Sequence, residues 1–203
     1  MPRVTTVLRK SRKAIQDLDL LKVLHSEITH EHSSNPFQDK QSGSLGDFTL
    51  DWDSPKSQDV VLRKKSESGE EVAVSAMLGP EIDEGASSFP REALMKVCIK
   101  KPGLSSILQF DCGVSGKDNG SEFDIHSAHY LPSTSLDSSN YKGPSYSELD
   151  PNLQSELKRY LVSKGIEESF TNFLLLHLHR KEQGQYVNWL RKLEEMVARG
   201  DDD

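Results

Sequence analysis

Cysteine is nearly absent from this chain: 203 residues contain two, Cys98 and Cys112. They lack the C-x-x-C spacing of redox and zinc sites. Both fall in apolar, strand-like runs, where a buried free thiol is the expected state and a disulfide requires the two to face each other across a hairpin. Aromatic residues make up only 7% of the chain, and none alternates with Lys/Arg in the manner of a base-stacking strand. No apolar run approaches the roughly 20 residues that a membrane-spanning helix needs. A phosphate-cradling loop is missing as well, because Gly43-Ser44-Leu45-Gly46 has neither the lysine nor a following helix. No serine occupies a strand-to-helix elbow, and the spacings of His126/His129 and His177/His179 send their side chains apart. The chain therefore reads as non-enzymatic, with no catalytic residue, no metal and no cofactor.

What the chain does have is acid, unevenly placed. The formal charge is -7. Residues 1–30 carry six Lys/Arg against three Asp/Glu, residues 31–150 carry eleven against twenty, and residues 151–203 carry eight against nine. An acidic middle repels nucleic acid and anionic lipid and attracts basic segments, so cationic partners are expected, with RNA touched only indirectly. Apolar residues amount to 34%, low for a globular domain of this length. Part of the burial is then expected to come from partner subunits.

The first sixteen residues hold Arg3, Arg9, Lys10, Arg12 and Lys13 and no acid. That composition fits either a short or degenerate mitochondrial targeting segment or the basic opening of a helix. Val4, Val7, Leu8, Ala14, Ile15, Leu18, Leu21, Leu24 and Ile28 recur at three- and four-residue spacing, which predicts one long amphipathic helix over 4–31, ended by Asn35-Pro36. From 47 to 146 the period changes to two. Phe48, Leu50 and Trp52 predict a half-buried strand. Strands follow at Val60–Leu62, Val72–Met77, Ala93–Lys100, Ser106–Val114 and Phe123–Leu131, with a seventh, short one near Tyr141–Tyr146. Residues 79–90, with Glu81, Asp83 and Glu84, read as an acidic loop. Asn119-Gly120-Ser121 matches a glycosylation acceptor but reads as a tight turn. Seven strands joined by short connections without crossover helices require antiparallel pairing.

Asp150-Pro151 is a helix start, a capping carboxylate followed by proline at the first helical position. Leu153, Leu157, Tyr160 and Leu161 form its apolar face, and Lys164-Gly165 closes it. Phe170, Phe173, Leu174 and Leu178 begin a second helix, which Val187, Leu190, Leu193 and Val197 either continue or restart after Gly184. The expected fold is α+β: a single domain over 1–203, with a twisted seven-stranded antiparallel sheet between one N-terminal helix and two or three C-terminal ones. The acidic residues 201–203 form a tail. A meander with two bare edges and one uncovered face predicts oligomerisation.

Five segments carry a resemblance in their shared order: Leu108-Gln109-Phe110-Asp111-Cys112, Tyr146 to Asp150, Tyr160-Leu161 with Gly165-Ile166, Phe170 with Phe173, and Tyr186 with Trp189-Leu190 and Leu193. Together they resemble the mitochondrial glycoproteins, or mitochondrial acidic matrix proteins, the family that includes the receptor for the globular heads of complement. The resemblance implies a homotrimeric ring with one strongly acidic face. It also implies first and last helices paired as an antiparallel coiled coil, setting Leu18, Leu21 and Ile28 against Leu190, Leu193 and Val197. It further implies multiligand, chaperone-like binding in the mitochondrial matrix, tied to oxidative phosphorylation and ribosome assembly, with nucleus or cytosol as other locations. The alternative it implies is an RNA-processing or ribosome-assembly factor acting through basic partners. Glu81, Asp83, Glu84, Asp118 and Glu122, on loops that would recur around a ring, are the candidate ligand-binding acids.

Overall fold

A computed structural model describes residues 3–34, 37, 43–81, 88–118, 120–132 and 141–199, with side chains from Gln16 onward. Helix α1 spans Arg3–Ser33, α2 Pro151–Ser163 and α3 Glu168–Ala198, with a 3-10 turn at Tyr146–Glu148. Six strands lie between them: β1 Thr49–Asp53, β2 Val60–Lys65, β3 Glu71–Glu81, β4 Arg91–Lys100, β5 Ile107–Lys117 and β6 Gly120–Leu131. They form one antiparallel meander in the order β1-β2-β3-β4-β5-β6. Two compact units divide the chain, one of residues 40–179 and one of residues 1–39 with 180–203, so that α3 contributes to both.

In the larger unit, alternation places one side chain in two on a closed face. Leu62, Val74, Val97 and Phe110 stand side by side across β2 to β5, all fully buried. The next row, Val60, Ala76, Met95, Cys112 and Ile125, is buried too. The first turns of α3 cross this face from one edge strand to the other. Thr171 Oγ1 lies 2.6 Å from Ser121 Oγ of β6, and His177 Nε2 lies 2.8 Å from Asp53 Oδ2 of β1. Phe170, Leu174, Leu175 and Leu178 are buried beneath that crossing.

Local chemistry sets the ends of α2. Asp150 Oδ1 accepts from the Asn152 and Leu153 amides at 2.9 and 3.4 Å, with Pro151 opening the helix. At the other end Gly165 adopts φ 96°. Its amide donates to Val162 O and that of Ile166 to Leu161 O, the paired closure that needs a left-handed residue.

Two strand expectations are corrected. The sheet has six strands among the described residues, because the segment near Tyr141–Tyr146 is not a strand: Gly143 takes φ 92° and Pro144 has no amide to donate. That segment is held instead by His129 Nδ1–H, which donates to Lys142 O at 2.7 Å. β1 exists but is not half-buried; all five of its residues are exposed, Leu50 at 41% and Trp52 at 52%. A bulge between Leu50 and Trp52 accounts for the exposure of Trp52. Leu50 pairs with Leu62 and Trp52 with Val61, so the two apolar side chains leave on opposite faces of an edge strand. Phe48, just before the strand, is the buried residue, its ring 4.6 Å from that of Phe170.

In the smaller unit, Leu24, Ile28 and Leu190 form a buried cluster against which Leu193 and Val197 pack. Polar contacts fix the direction of the pairing. Gln183 Nε2 reaches Ser34 O at 3.2 Å, Tyr186 donates to Glu27 Oε1 at 3.2 Å, and His25 Nδ1 sits 3.6 Å from Glu194 Oε1. Numbers fall along α1 as they rise along α3, so the helices run antiparallel. Leu21 is half-buried, whereas Leu18 is 56% exposed and lies outside the cluster. Helix α3 runs unbroken through Gly184, which makes two C-terminal helices rather than three.

Candidate functional site: the acid-bearing end of the sheet

The topology brings the candidate acids to one end of the sheet. Glu81 closes β3 opposite Arg91 of β4, and Asp118 and Glu122 flank the β5–β6 turn at the same end. Asp83 and Glu84 lie outside the described residues, as does Asn119. Glu81 and Asp118 are exposed and have no cation partner among the described residues.

Glu122 differs from these two. Its carboxylate is held by Lys117 from its own hairpin and by Lys158 of α2, whose Nζ lies 3.1 Å from Oε1. Hydrogen bonds from Lys117 and then Lys158 hold its carboxyl below the usual carboxylate range. Lys158 also approaches Asp124 Oδ1 at 3.5 Å and sits over the Phe123 ring. Glu122 thus ties α2 to β6, and its charge is offset where it stands. Lys158 is 36 residues away in sequence, and no local pattern announces this pairing.

A second polar group, missed by sequence reasoning, occupies the face of the sheet away from α3. Asp111 of β5 accepts from Ser127 Oγ at 2.9 Å and from Gln109 Nε2 at 3.3 Å. Its other oxygen contacts are Lys96 Nζ at 3.8 Å and His129 Nε2 at 3.6 Å. The serine donates to the aspartate and not to the histidine, so this is not a nucleophile-and-base arrangement. It ties strands β4, β5 and β6 together.

Both thiols are free. Cys112 points into the core, where burial pushes its thiol up to about 12, and Cys98 pairs in register with Gln109 on the other face, its thiol raised by burial as well. A raised thiol is a poor nucleophile and a poor metal ligand at neutral pH. Among the described residues no helix is long and apolar enough to cross a membrane.

Among the described residues, a six-stranded antiparallel meander with one helix before it and two after defines an α+β fold. Residues 24–197 match the mitochondrial glycoprotein family, and the chain belongs to it. It is 30% identical over 131 residues to the mitochondrial acidic protein mam33 of Schizosaccharomyces pombe, a match covering 57% of this chain. The matched region spans about half, 47%, of the length of that relative. An uncharacterized mitochondrial protein of Arabidopsis thaliana is 28% identical over 189 residues, 88% of this chain and 74% of the other. Among solved structures, the p22 protein of Trypanosoma brucei superposes with a TM-score of 0.70 at 21% identity, over 90% of this chain and 99% of that one. A Leishmania major protein described as a sequence homologue of human p32 gives 0.67 at 18%, with the same coverage.

Proposed function

We propose that this chain is a non-enzymatic acidic binding protein of the mitochondrial matrix, a homotrimeric, chaperone-like scaffold that holds basic segments of proteins. The observation that carries the reading is the placement, at one end of the sheet, of acid with no cation partner among the described residues: Glu81 ends β3 opposite Arg91, and Asp118 follows β5 at the β5–β6 turn. Alternate hairpins of a meander end at the same end of the sheet, and acids placed there recur on a shared surface when copies assemble around an axis. At physiological ionic strength the screening length is about 8 Å, so a cluster of such turns, and not one carboxylate, is what can hold a cationic segment. The mitochondrial names of the relatives support the location. Membership of the family, the bare edge at β1 and the exposed Leu50 and Trp52 support assembly. The terminal helices pair in this reading as an antiparallel coiled coil.

Replacing Glu81, Asp83, Glu84, Asp118 and Glu122 together with Gln or Asn tests the proposal. Binding of a Lys/Arg-rich peptide at low salt should fall while light scattering still reports three times 22.8 kDa. Unchanged affinity would remove these loops as the binding surface. A mass of one chain in the unaltered protein would remove the trimer.

A further inference from the structure

The larger unit also contains a cavity of about 660 Å³ between α2 and the opposite end of the sheet, the end away from Glu81 and Asp118. Its origin is a mismatch between helix and sheet. The outermost row of the closed face runs Val72, Ile99, Leu108 and Tyr130 across four strands. Leu161 of α2 is fully buried, but Leu157, one turn back, and the neighbouring Tyr160 are only half-buried. Together with Leu104 of the β4–β5 turn and Ile99, Leu108 and Tyr130 of the sheet row, they line a concavity that no side chain of the larger unit's described residues fills. Leu104 and Tyr130 stay 53% and 63% exposed at its mouth.

The charged lining is uneven. Arg159 Nη1 is engaged by Glu156 Oε1 at 2.7 Å, one turn along the same helix. Lys101, at the start of the turn that carries Leu104, is exposed and has no carboxylate partner among the described residues. A cation with no carboxylate partner among the described residues, beside an apolar cavity, complements a molecule with one anionic end and one apolar body. The volume falls within the roughly 300–1,000 Å³ of small-molecule sites, which are apolar with a few placed polar groups.

We propose that this cavity binds a medium-chain acyl carboxylate, its chain between Leu104, Leu108, Leu157 and Tyr160 and its carboxylate on Lys101. The site is independent of the acid-bearing end, and its success or failure leaves the peptide-binding reading untouched. Calorimetric titration of the full chain with octanoate, decanoate and dodecanoate, each below its micelle-forming concentration, tests it. One site per chain is expected, with affinity rising about fourfold per added methylene until the cavity is filled. Lys101→Glu should weaken decanoate at least tenfold and leave the neutral decanol unchanged. Leu104→Trp, filling the cavity from an exposed position, should abolish binding of both; if that variant fails to fold, the Lys101→Glu comparison decides alone.

Absence of saturable carboxylate binding overturns the proposal, as does equal decanoate affinity in Lys101→Glu. Binding by dissociated chains that vanishes in the assembled protein assigns the cavity to a second copy of the chain. Capture of an amphipathic helical peptide that depends on Leu104 and ignores Lys101 assigns it to a protein partner. Either result also overturns the acyl assignment.

Discussion

Lys158 of α2 reaches Glu122 of β6 with Nζ 3.1 Å from Oε1, and Lys117 meets the same carboxylate from within the hairpin. This candidate acid is thereby a fastening between helix and sheet. Glu122→Gln should lower stability only by about 0.2–1 kcal/mol, since the group is well exposed to solvent and screened. The sign with pH follows from its depressed carboxyl: the stabilisation is fully present above the unfolded carboxylate range near pH 4.3 and is lost as pH falls through the folded value. Thermal melts of the two proteins should therefore differ at pH 6–7 and converge as pH falls below the carboxylate range. A difference that grows in acid would contradict the pairing. Peptide affinity should change less for this variant than for Glu81→Gln with Asp118→Asn.

Gly43 is expected to tolerate no side chain. A methyl group there would sit 1.9 Å from Ser169 O and 2.4 Å from Phe173 N, both backbone atoms of α3 that cannot swing aside. The adjacent Ser44 amide donates to Ser169 O at 3.0 Å, so the strain would also disturb that bond. Gly43→Ala should cost about 1–3 kcal/mol, the range for forced overpacking. Chemical denaturation measures it, and an unchanged midpoint would mean the segment does not lie against the first turn of α3.

Leu190→Asp should dismantle the smaller unit. Leu190 is buried with Leu24 and Ile28, where losing the side chain costs about 2–5 kcal/mol and an unpaired buried carboxylate adds to that. The fall in helical circular dichroism should approximate the loss of the α1 and C-terminal α3 segments. Wild-type helicity and melting would show that Leu190 does not anchor this pair.

Much of this fold was legible because its signals are local. Asp150-Pro151 and Lys164-Gly165 mark the ends of α2 by backbone chemistry alone, and β2 to β6 follow from a period of two. The seventh strand failed because alternation near Tyr141 says nothing about amide supply: Pro144 lacks a donor and Gly143 turns left-handed. β1 failed differently. Phe48, Leu50 and Trp52 alternate as a half-buried strand should, but a bulge splits the last two across opposite faces, and only the Leu62 and Val61 partners reveal it. The sequence reads all five candidate acids as loop residues, whereas Glu81 ends β3, Glu122 lies in β6, Asp118 is at the turn, and Asp83 and Glu84 lie outside the described residues. That Glu122 is neutralised by Lys158, and that Lys101 has no carboxylate partner among the described residues beside Leu104 and Tyr130, depends on the arrangement of distant segments.

The most direct test of the binding reading is a side-by-side titration of a Lys/Arg-rich peptide and a single-stranded RNA of matched length from low to physiological salt. An acidic surface built from Glu81, Asp118 and their neighbours should bind the peptide, lose affinity steadily as salt rises, and leave the RNA unbound throughout. RNA binding tighter than peptide binding, or peptide affinity indifferent to salt, would contradict it.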